Sequence, residues 1–357
     1  DALPIYIFGA FGLAYALFEI PGGWMGDWMG ARKVLMRIVV WWSFFTVATG
    51  WMWNFTSMWV TRFLFGAGEA GCFPNLTKTY TTWLPKDEQV RAQGITWLAA
   101  RWGGAFTGPL VIAVFSIMDW RQGFALFGVI GIVWAVFFYK WYRDNPADHP
   151  AVNPAELAYI QASAQKAESH GNVPWGKLIS SGSVWGLWIQ YFLLSYPWYF
   201  FITWLPTYLQ EHWHLSGAEA SKLQIFPLFF GGIGAIFSGF VSPRLANRLA
   251  STNKARRIMS TVGFAGAAAL MYSVTEMSTP LMAMLVMGLA SFCNDLIMPN
   301  AWGACMDVGG KFAGTLSGSM NMMGNFAGLA APLIAPYILL YTNNDWNQVL
   351  TVMAAVY

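Results

Sequence analysis

The chain alternates long apolar runs with short polar segments. Each run approaches or exceeds the roughly 20 residues that a helix needs to cross the hydrocarbon core of a bilayer. The runs lie at residues 4–24, 35–53, 58–84, 93–118, 122–142, 183–208, 223–243, 258–275, 280–306 and 313–341. This pattern predicts ten membrane-spanning helices, and an eleventh begins at Trp346.

Composition supports a membrane protein. Of the 357 residues, 56% are hydrophobic and only 10% are charged, whereas a soluble domain carries about a quarter charged residues. The three cysteines lie in apolar runs, so we expect neither a disulfide framework nor a metal site. No nucleophile elbow, nucleotide loop or metal-ligand cluster occurs in the sequence, so we expect no enzyme activity, no cofactor and no nucleic-acid partner.

Basic residues are distributed very unequally between alternate loops. Arg121 and Lys222 lie in one set of loops, and fifteen basic residues lie in the other set. These fifteen are Arg32, Lys33, Arg37, Lys86, Arg91, Lys140, Arg143, Lys166, Lys177, Arg244, Arg248, Lys254, Arg256, Arg257 and Lys311. The positive-inside rule therefore places the rich set in the cytoplasm and Asp1 outside.

The longest polar stretch, residues 143–175, divides the chain. We predict a helical half at residues 1–142, a cytoplasmic linker at 143–182 with a short helix from Pro154 to Glu168, and a second helical half at 183–357. The halves resemble each other: "EAGCFPN" (69–75) has a counterpart in "NDLIMPN" (294–300), and "RWGGAFTGPL" in "MMGNFAGLAAPL". A repeat in parallel orientation is what these matches indicate.

The loop after the first apolar run reads "GGWMGDWMGARK". Its Gly23, Asp27, Gly30, Arg32 and Lys33 match the G-x-x-x-D-x-x-G-x-R-K signature of the major facilitator superfamily, which the chain therefore resembles. The glycines allow close helix packing, and the Asp can pair with basic residues or a helix N-terminus. The alternative is an ordinary basic cytoplasmic turn.

This resemblance implies an all-α membrane protein with two six-helix halves. The family carries its signature between its second and third helices, and the chain begins without Met and stops inside an apolar run. We therefore expect a fragment of a twelve-helix protein that lacks the first helix and most of the last.

Within the superfamily, four stretches resemble the anion:cation symporters. They are "YALFEIPGGWMGD" (15–27), "RFLFGAGEAGCFPN" (62–75), "WLPKDEQVRAQG" (83–94) and "YRDNPADHPAVNPAEL" (142–157). The resemblance implies uptake of an aldonate, hexuronate or aldarate with protons, by alternating access. We expect a monomer that spans the inner (cytoplasmic) membrane many times.

Two charged residues fall inside the third apolar run. Arg62 and Glu69 are seven residues apart, so on a helix they lie about 20° apart in azimuth and about 10.5 Å apart in height. A guanidinium offers a fork to a carboxylate, and a poorly solvated carboxyl group binds a proton more readily than it does in water. The resemblance assigns anion binding to Arg62 and proton coupling to Glu69. The alternative is a structural ion pair.

Four further polar residues in apolar runs are candidates. Tyr15, Asn321 and Asn325 match positions where sugar-acid hydroxyls could bind, and interhelical hydrogen bonding is an equal alternative. Glu19 stands where many members of the family have Gln. Glu19 either titrates or pairs near the cytoplasmic face, and we expect the structural role because it lies within one turn of the polar boundary.

Arg101 and Asp295 complete the candidate residues. Arg101 either lines a cytoplasmic vestibule or extends its charged end toward the membrane surface. Asp295 lies close to the position in its half that Glu69 occupies in the first half. It is either a second proton site or a hydrogen-bond acceptor beside a hinge, and we favour the acceptor.

A proton-coupled symporter is the function that these residues favour. An anion exchanger or uniporter on the same fold would keep Arg62 and need no titrating Glu69. A membrane sensor that does not transport would share the fold and carry a soluble signalling domain.

Overall fold

The computed structural model describes residues 3–163 and 173–357. Sixteen α-helices and three short 3₁₀ helices make up the secondary structure of this described part. The helices up to the linker are α1 Leu3–Met29, α2 Ala31–Thr49, α3 Phe55–Glu69, α4 Cys72–Trp83, α5 Lys86–Phe115, α6 Trp120–Trp141, α7 Pro154–Ser163 and α8 Trp175–Ile179. The later helices are α9 Gly182–Thr203, α10 Leu205–Glu211, α11 Gly217–Leu223, α12 Ile225–Arg248, α13 Thr252–Ser273, α14 Pro280–Gly309, α15 Ala313–Tyr341 and α16 Trp346–Val356.

Each predicted apolar run coincides with one helix or with a pair of helices. Among the described residues, five helical stretches are long and apolar enough to cross a membrane. They are Lys86–Phe115, Trp120–Trp141, Gly217–Arg248, Thr252–Glu276 and Pro280–Tyr341, the last of which contains α14 and α15. The third predicted run, residues 58–84, is divided between α3 and α4, so the prediction of one continuous helix there is wrong.

The chain folds into two compact units. Unit 1 contains Asp1–Gln89, Gly108–Trp188 and Ala304–Asn325, and unit 2 contains Val90–Thr107, Ile189–Gly303 and Phe326–Tyr357. Neither unit is one continuous segment, because α5, α9, α14 and α15 each contribute residues to both. The division into halves at residues 142 and 183 remains a prediction.

In unit 1, small residues let α1 approach the region between α3 and α4. A Cβ atom added at Gly22 would lie 2.6 Å from the Ala70 carbonyl oxygen, and one added at Gly66 would lie 2.5 Å from the Phe11 carbonyl oxygen. These separations are shorter than a non-bonded contact allows. Glycine at both positions therefore permits backbone to pack directly on backbone, as in other membrane helix pairs.

Unit 2 has an aromatic and Met-rich core together with a close helix pair. Phe200, Tyr208, Met287 and Trp346 are buried in this core. The close pair is α12 and α14: a Cβ atom added at Gly234 would lie 2.3 Å from the Phe292 carbonyl oxygen. Glycine at residue 234 therefore allows α12 to pack directly on the backbone of α14.

The predicted linker contains short helices. Helix α7 begins at the predicted Pro154, and the Asn153 side chain accepts a hydrogen bond from the Glu156 backbone N–H (2.9 Å). The remainder of the helix predicted to Glu168 lies outside the described residues. The 3₁₀ helix Pro146–Asp148 and helix α8 complete the described local structure of this segment.

Candidate functional site

A break between α3 and α4 organises the candidate site in unit 1. Helix α3 ends at Glu69, Ala70 has ψ 139°, and Gly71 adopts the left-handed conformation with φ +86°. A Cβ atom added at Gly71 would lie 2.6 Å from Gly22 Cα on α1. Glycine is therefore required at residue 71 by both backbone conformation and space. The break places Glu69 at the carboxyl end of one helix.

Arg62 and Glu69 share one face of α3 and do not form a contact ion pair. In the part of the chain that the structure describes, the ion pairs within 4 Å join Lys78 to Asp27 and Arg101 to Asp295. Both α3 side chains are partly buried, and their charges interact at longer range. The Arg62 guanidinium carbon lies 5.7 Å from the centre of the Phe65 ring. Arg62 is thus a membrane cation with no carboxylate at contact distance.

Glu19 is the centre of a hydrogen-bond cluster beside the break. Its carboxyl group is fully buried and accepts hydrogen bonds from Asn321 Nδ2 (2.6 Å) and from the Gly71 backbone N–H (3.3 Å). The Tyr15 side chain also hydrogen-bonds to it, and Asn325 Nδ2 donates to the Asn321 carbonyl oxygen (2.9 Å). The structure therefore brings Tyr15 and Asn321, two predicted substrate contacts, to Glu19.

The signature aspartate binds the amino end of α15. Asp27 accepts hydrogen bonds from the backbone N–H groups of Gly314 (3.1 Å) and Thr315 (2.6 Å), and from the Thr315 hydroxyl (2.7 Å). Lys78 Nζ lies 3.3 Å from Asp27 Oδ1. Sequence analysis anticipated both kinds of contact, because a carboxylate is favoured at a helix N-terminus and beside a cation.

Close packing accompanies this contact. A Cβ atom added at Gly23 would lie 2.2 Å from the Gly314 carbonyl oxygen. The glycine of the signature therefore lets α1 reach the start of α15, where Asp27 makes its hydrogen bonds.

The remaining signature residues attach the α1–α2 turn to the end of α6. Gly30 has φ +91°, and the Arg32 backbone N–H donates to Asp144 Oδ1 (2.8 Å). The Arg32 side chain donates to the Tyr139 carbonyl oxygen (Nε, 2.9 Å) and lies over the Tyr139 ring. Partial burial raises the pKa of Asp144, and the hydrogen bond from Arg32 and the charges of Arg32 and Lys33 oppose that rise.

Arg101 and Asp295 form a buried bidentate ion pair in unit 2. Arg101 Nε and Nη2 lie 2.6 and 2.7 Å from the two carboxylate oxygens, and both residues are at most 1% exposed. Asn294 Nδ2 donates to the same carboxylate (3.1 Å), and the Trp198 ring covers the guanidinium at 3.4 Å. Arg101 therefore neither extends to the membrane surface nor lines an open vestibule, contrary to both interpretations of its role.

Sequence analysis did not identify Lys78, although a usable signal was present. Lys78 lies inside the same apolar run as Arg62 and carries the same cost of burying a charge. The ion pair with Asp27 and a hydrogen bond to the Lys311 carbonyl oxygen (2.7 Å) offset the energy of burying this charge. Of the two cations in this run, Lys78 has a carboxylate partner and Arg62 has none at contact distance.

Comparisons with known proteins agree on one family. A family model described as Major Facilitator Superfamily matches residues 4–332. A probable sulfoacetate transporter of Cupriavidus necator is 32% identical over 347 residues, which cover 95% of this chain and 79% of the relative. A probable galactarate/D-glucarate transporter of Escherichia coli is 30% identical over 354 residues, which cover 94% of this chain and 79% of the relative. Plant relatives described as chloroplastic also match, and the chain spans less than two thirds of their length.

Solved structures share the fold. The structure of a proton:xylose symporter with bound 6-bromo-6-deoxy-D-glucose superimposes with a TM-score of 0.77. The match covers 99% of this chain and 84% of that chain, at 12% sequence identity. At this identity the similarity demonstrates the all-helical fold alone.

Proposed function

The chain belongs to the Major Facilitator Superfamily, so it is a multi-pass membrane transporter rather than an enzyme, and we propose that it takes up an organic anion together with protons. The proposed substrate class is sugar acids. Relatives described as probable transporters of L-galactonate and of galactarate/D-glucarate support this class. The relative described as a probable sulfoacetate transporter supports the broader class of organic anions, because sulfoacetate carries a carboxylate and is not a sugar acid. The proposed location is the inner (cytoplasmic) membrane, where the protein acts as a monomer by alternating access.

The observation that carries the proposal is the state of Arg62. Its guanidinium lies in a membrane helix without a carboxylate within 4 Å in the described part of the chain. A buried cation without a counter-ion is costly, and an anionic substrate supplies one. The planar guanidinium also matches a carboxylate through two parallel hydrogen bonds.

Glu69 is the proposed proton carrier. It lies at the carboxyl end of α3, where the helix dipole is negative and an ionised carboxyl group is disfavoured. In the proposed cycle, ionised Glu69 attracts Arg62 in the empty transporter. Protonation of Glu69 then leaves the Arg62 charge to the substrate carboxylate.

The membrane potential explains why uptake of an anion needs a co-transported proton. Moving a monoanion into a cell at about 100 mV inside-negative costs roughly 2.3 kcal/mol. One co-transported proton cancels this electrical cost and adds the driving force of the pH gradient. Each proton that accompanies the substrate therefore raises the concentration of the anion that the transporter can maintain inside the cell.

Substrate recognition in the proposal centres on Arg62. Asn321 on α15 hydrogen-bonds to Glu19 on α1, which favours an interhelical role for Asn321 in this state. Tyr15 hydrogen-bonds to Glu19 within α1, which favours a role in holding the Glu19 carboxyl group. Asn325 follows Asn321 by one turn of α15, and we propose it for the sugar hydroxyls. The signature residues Gly23, Asp27, Gly30, Arg32 and Lys33 are proposed to control movement of α1 against its neighbours.

Uptake into proteoliposomes tests the proposal. The purified full-length protein is reconstituted and supplied with labelled sulfoacetate, L-galactonate or D-glucarate, with and without an inward pH gradient. We expect at least one of these anions to accumulate only with the gradient and to lose that accumulation when a protonophore is added. Gradient-independent exchange of these anions, with no accumulation, would instead establish an exchanger or uniporter.

A further inference from the structure

The carboxyl group of Glu19 is fully buried, and the proposed transport cycle does not involve it. Its hydrogen-bond donors come from three different places in unit 1. Tyr15 lies one turn earlier on α1, Gly71 caps the amino end of α4, and Asn321 lies on α15. A change in the hydrogen bonding of Glu19 therefore affects both the break between α3 and α4 and helix α15.

None of the described groups that interact with Glu19 is basic. The donors are a phenol, a backbone amide and a carboxamide, and all three are neutral. The charge of Glu69 on α3 acts on Glu19, and the charge of Glu19 in turn acts on Cys72 of α4. The basic residues Arg32 and Lys33 at the start of the neighbouring α2 act on Asp144 instead.

Counting charges shows what the loaded state requires. With a monoanion bound to Arg62, those two charges compensate each other. Glu19 and Glu69 are then two carboxyl groups beside the break, and the part of the chain that the structure describes places no cation within 4 Å of either. Buried carboxylates without a cation are strongly disfavoured and bind protons instead.

We propose that Glu19 is a second proton-binding site, so that the transporter carries two protons with each monoanion and moves a net positive charge inward. This inference rests on the proposed function, because it assumes that Arg62 binds the anion and that Glu69 binds the first proton. It also makes the membrane potential itself a driving force for uptake.

The hydrogen bonds of Glu19 provide a path from this proton to α15. An ionised carboxyl group accepts from all three donors, whereas a protonated one must donate its own O–H. Asn321 Nδ2 donates to Oε1 and the Gly71 N–H to Oε2, so a proton on either oxygen displaces one of these two donors. A proton on Oε1 requires the Asn321 carboxamide to rotate and offer its oxygen, and a proton on Oε2 loosens the bond to the helix break. Protonation of Glu19 therefore changes a contact with α15 or with the break.

A proton titration tests the site without any substrate. Purified wild-type protein, Glu19→Gln and Glu69→Gln are titrated in unbuffered detergent solution over about pH 5 to 9. We expect each variant to bind one proton fewer than wild type, and the double variant two fewer. A Glu19→Gln curve that superimposes on wild type overturns the inference, and a superimposed Glu69→Gln curve instead overturns the proton role in the proposed function.

A second variant tests the site even if Glu19→Gln misfolds. Asn321→Leu removes a hydrogen bond that favours the ionised carboxyl group while it leaves Glu19 in place. We expect the same number of protons as in wild type, with the titration of one of them displaced to higher pH. An undisplaced curve contradicts the inference even if Glu19→Gln cannot be purified.

Electrical driving of uptake supplies the functional readout. The probe is L-galactonate, which is the monoanion among the anions of the proteoliposome assay. Its accumulation is measured with equal pH on both sides of the membrane. Two protons per monoanion predict that about 100 mV, inside-negative, raises steady-state accumulation about 50-fold in wild type. Glu19→Gln should respond to the pH gradient and lose this response to potential, and an unchanged response in the variant rejects the second site.

Discussion

Arg62 and Arg101 are both arginines in membrane helices, but they differ in burial and in their partners. Arg101 is buried, paired with Asp295 through two hydrogen bonds of 2.6 and 2.7 Å, and covered by Trp198. Arg62 is only partly buried, has no carboxylate at contact distance, and has the Phe65 ring at 5.7 Å. Arg101 has its carboxylate partner within unit 2, which favours a structural role. Arg62 has no carboxylate within 4 Å among the described residues, and we propose that a bound anion supplies its counter-ion.

Two asparagines, one in each unit, differ from the arginines because they make equivalent hydrogen bonds. Asn75 Nδ2 donates to the carbonyl oxygens of Gly71 (2.7 Å) and Gly22 (2.9 Å). Asn300 Nδ2 donates to the Leu296 carbonyl oxygen (3.0 Å) and Ser238 Oγ (2.9 Å). Each asparagine thus bonds the carbonyl four residues earlier and a neighbouring helix, at the corresponding positions of "FPN" and "MPN". Helix α14 continues through its copy of the motif, whereas α3 and α4 are separated at Ala70 and Gly71.

The largest effect is expected from removing the partner of Arg101. Asp295→Ala leaves a buried guanidinium without its carboxylate, and we expect a loss of about 3–5 kcal/mol in the free energy of unfolding. Unfolding of the purified full-length protein in mixed micelles measures this loss. Arg62→Ala is the matched control and should cost less than about 1 kcal/mol, because no ion pair is broken.

The double variant Arg101→Met/Asp295→Leu sharpens this test. Replacing both charges by apolar side chains leaves no buried ion, so most of the lost stability should return. Equal destabilisation by Asp295→Ala and Arg62→Ala would remove the distinction between a structural arginine and a binding arginine.

The next largest effect concerns anion affinity. Arg62→Ala should weaken equilibrium binding of the transported anion by about 2 kcal/mol, or roughly 30-fold, since a hydrogen-bonded charge is lost. Arg62→Lys should weaken it almost as much, because an ammonium group cannot form the planar two-bond contact. Calorimetric binding measures both variants, and near-normal affinity in Arg62→Lys would argue against the bidentate contact.

A prediction of similar size tests the break that distinguishes α3–α4 from α14. Gly71→Ala forces a side chain into a left-handed conformation, with its Cβ atom 2.6 Å from Gly22 Cα. We expect a loss of about 2 kcal/mol in unfolding free energy. Gly108→Ala on α5 meets nothing within 4 Å, so it should be neutral or stabilising by up to about 1 kcal/mol. Similar stability of the two variants would show that the break is not held by Gly71.

The sequence predicted the helices well, because bilayer thickness imposes a length that apolar runs reveal directly. The contact of Asp27 with a helix N-terminus was also anticipated, since the charge and its position limit the available partners. The break after Glu69 was not, because glycine is common in membrane helices and gives no sign of its φ angle. The pairing of Arg101 with Asp295 joins residues 194 positions apart, and no local pattern encodes it.

Glu69→Gln in the full-length transporter tests the central claim that Arg62 and Glu69 couple an anion to a proton. Glutamine has the shape of protonated glutamate and cannot release a proton, so the empty transporter cannot return in its deprotonated form. In the same proteoliposomes we expect pH-gradient-driven uptake to be lost while counterflow exchange of the anion persists, because exchange moves only the loaded transporter. Loss of both activities to the same degree would favour a purely structural role for Glu69, and retention of both would contradict proton coupling through Glu69.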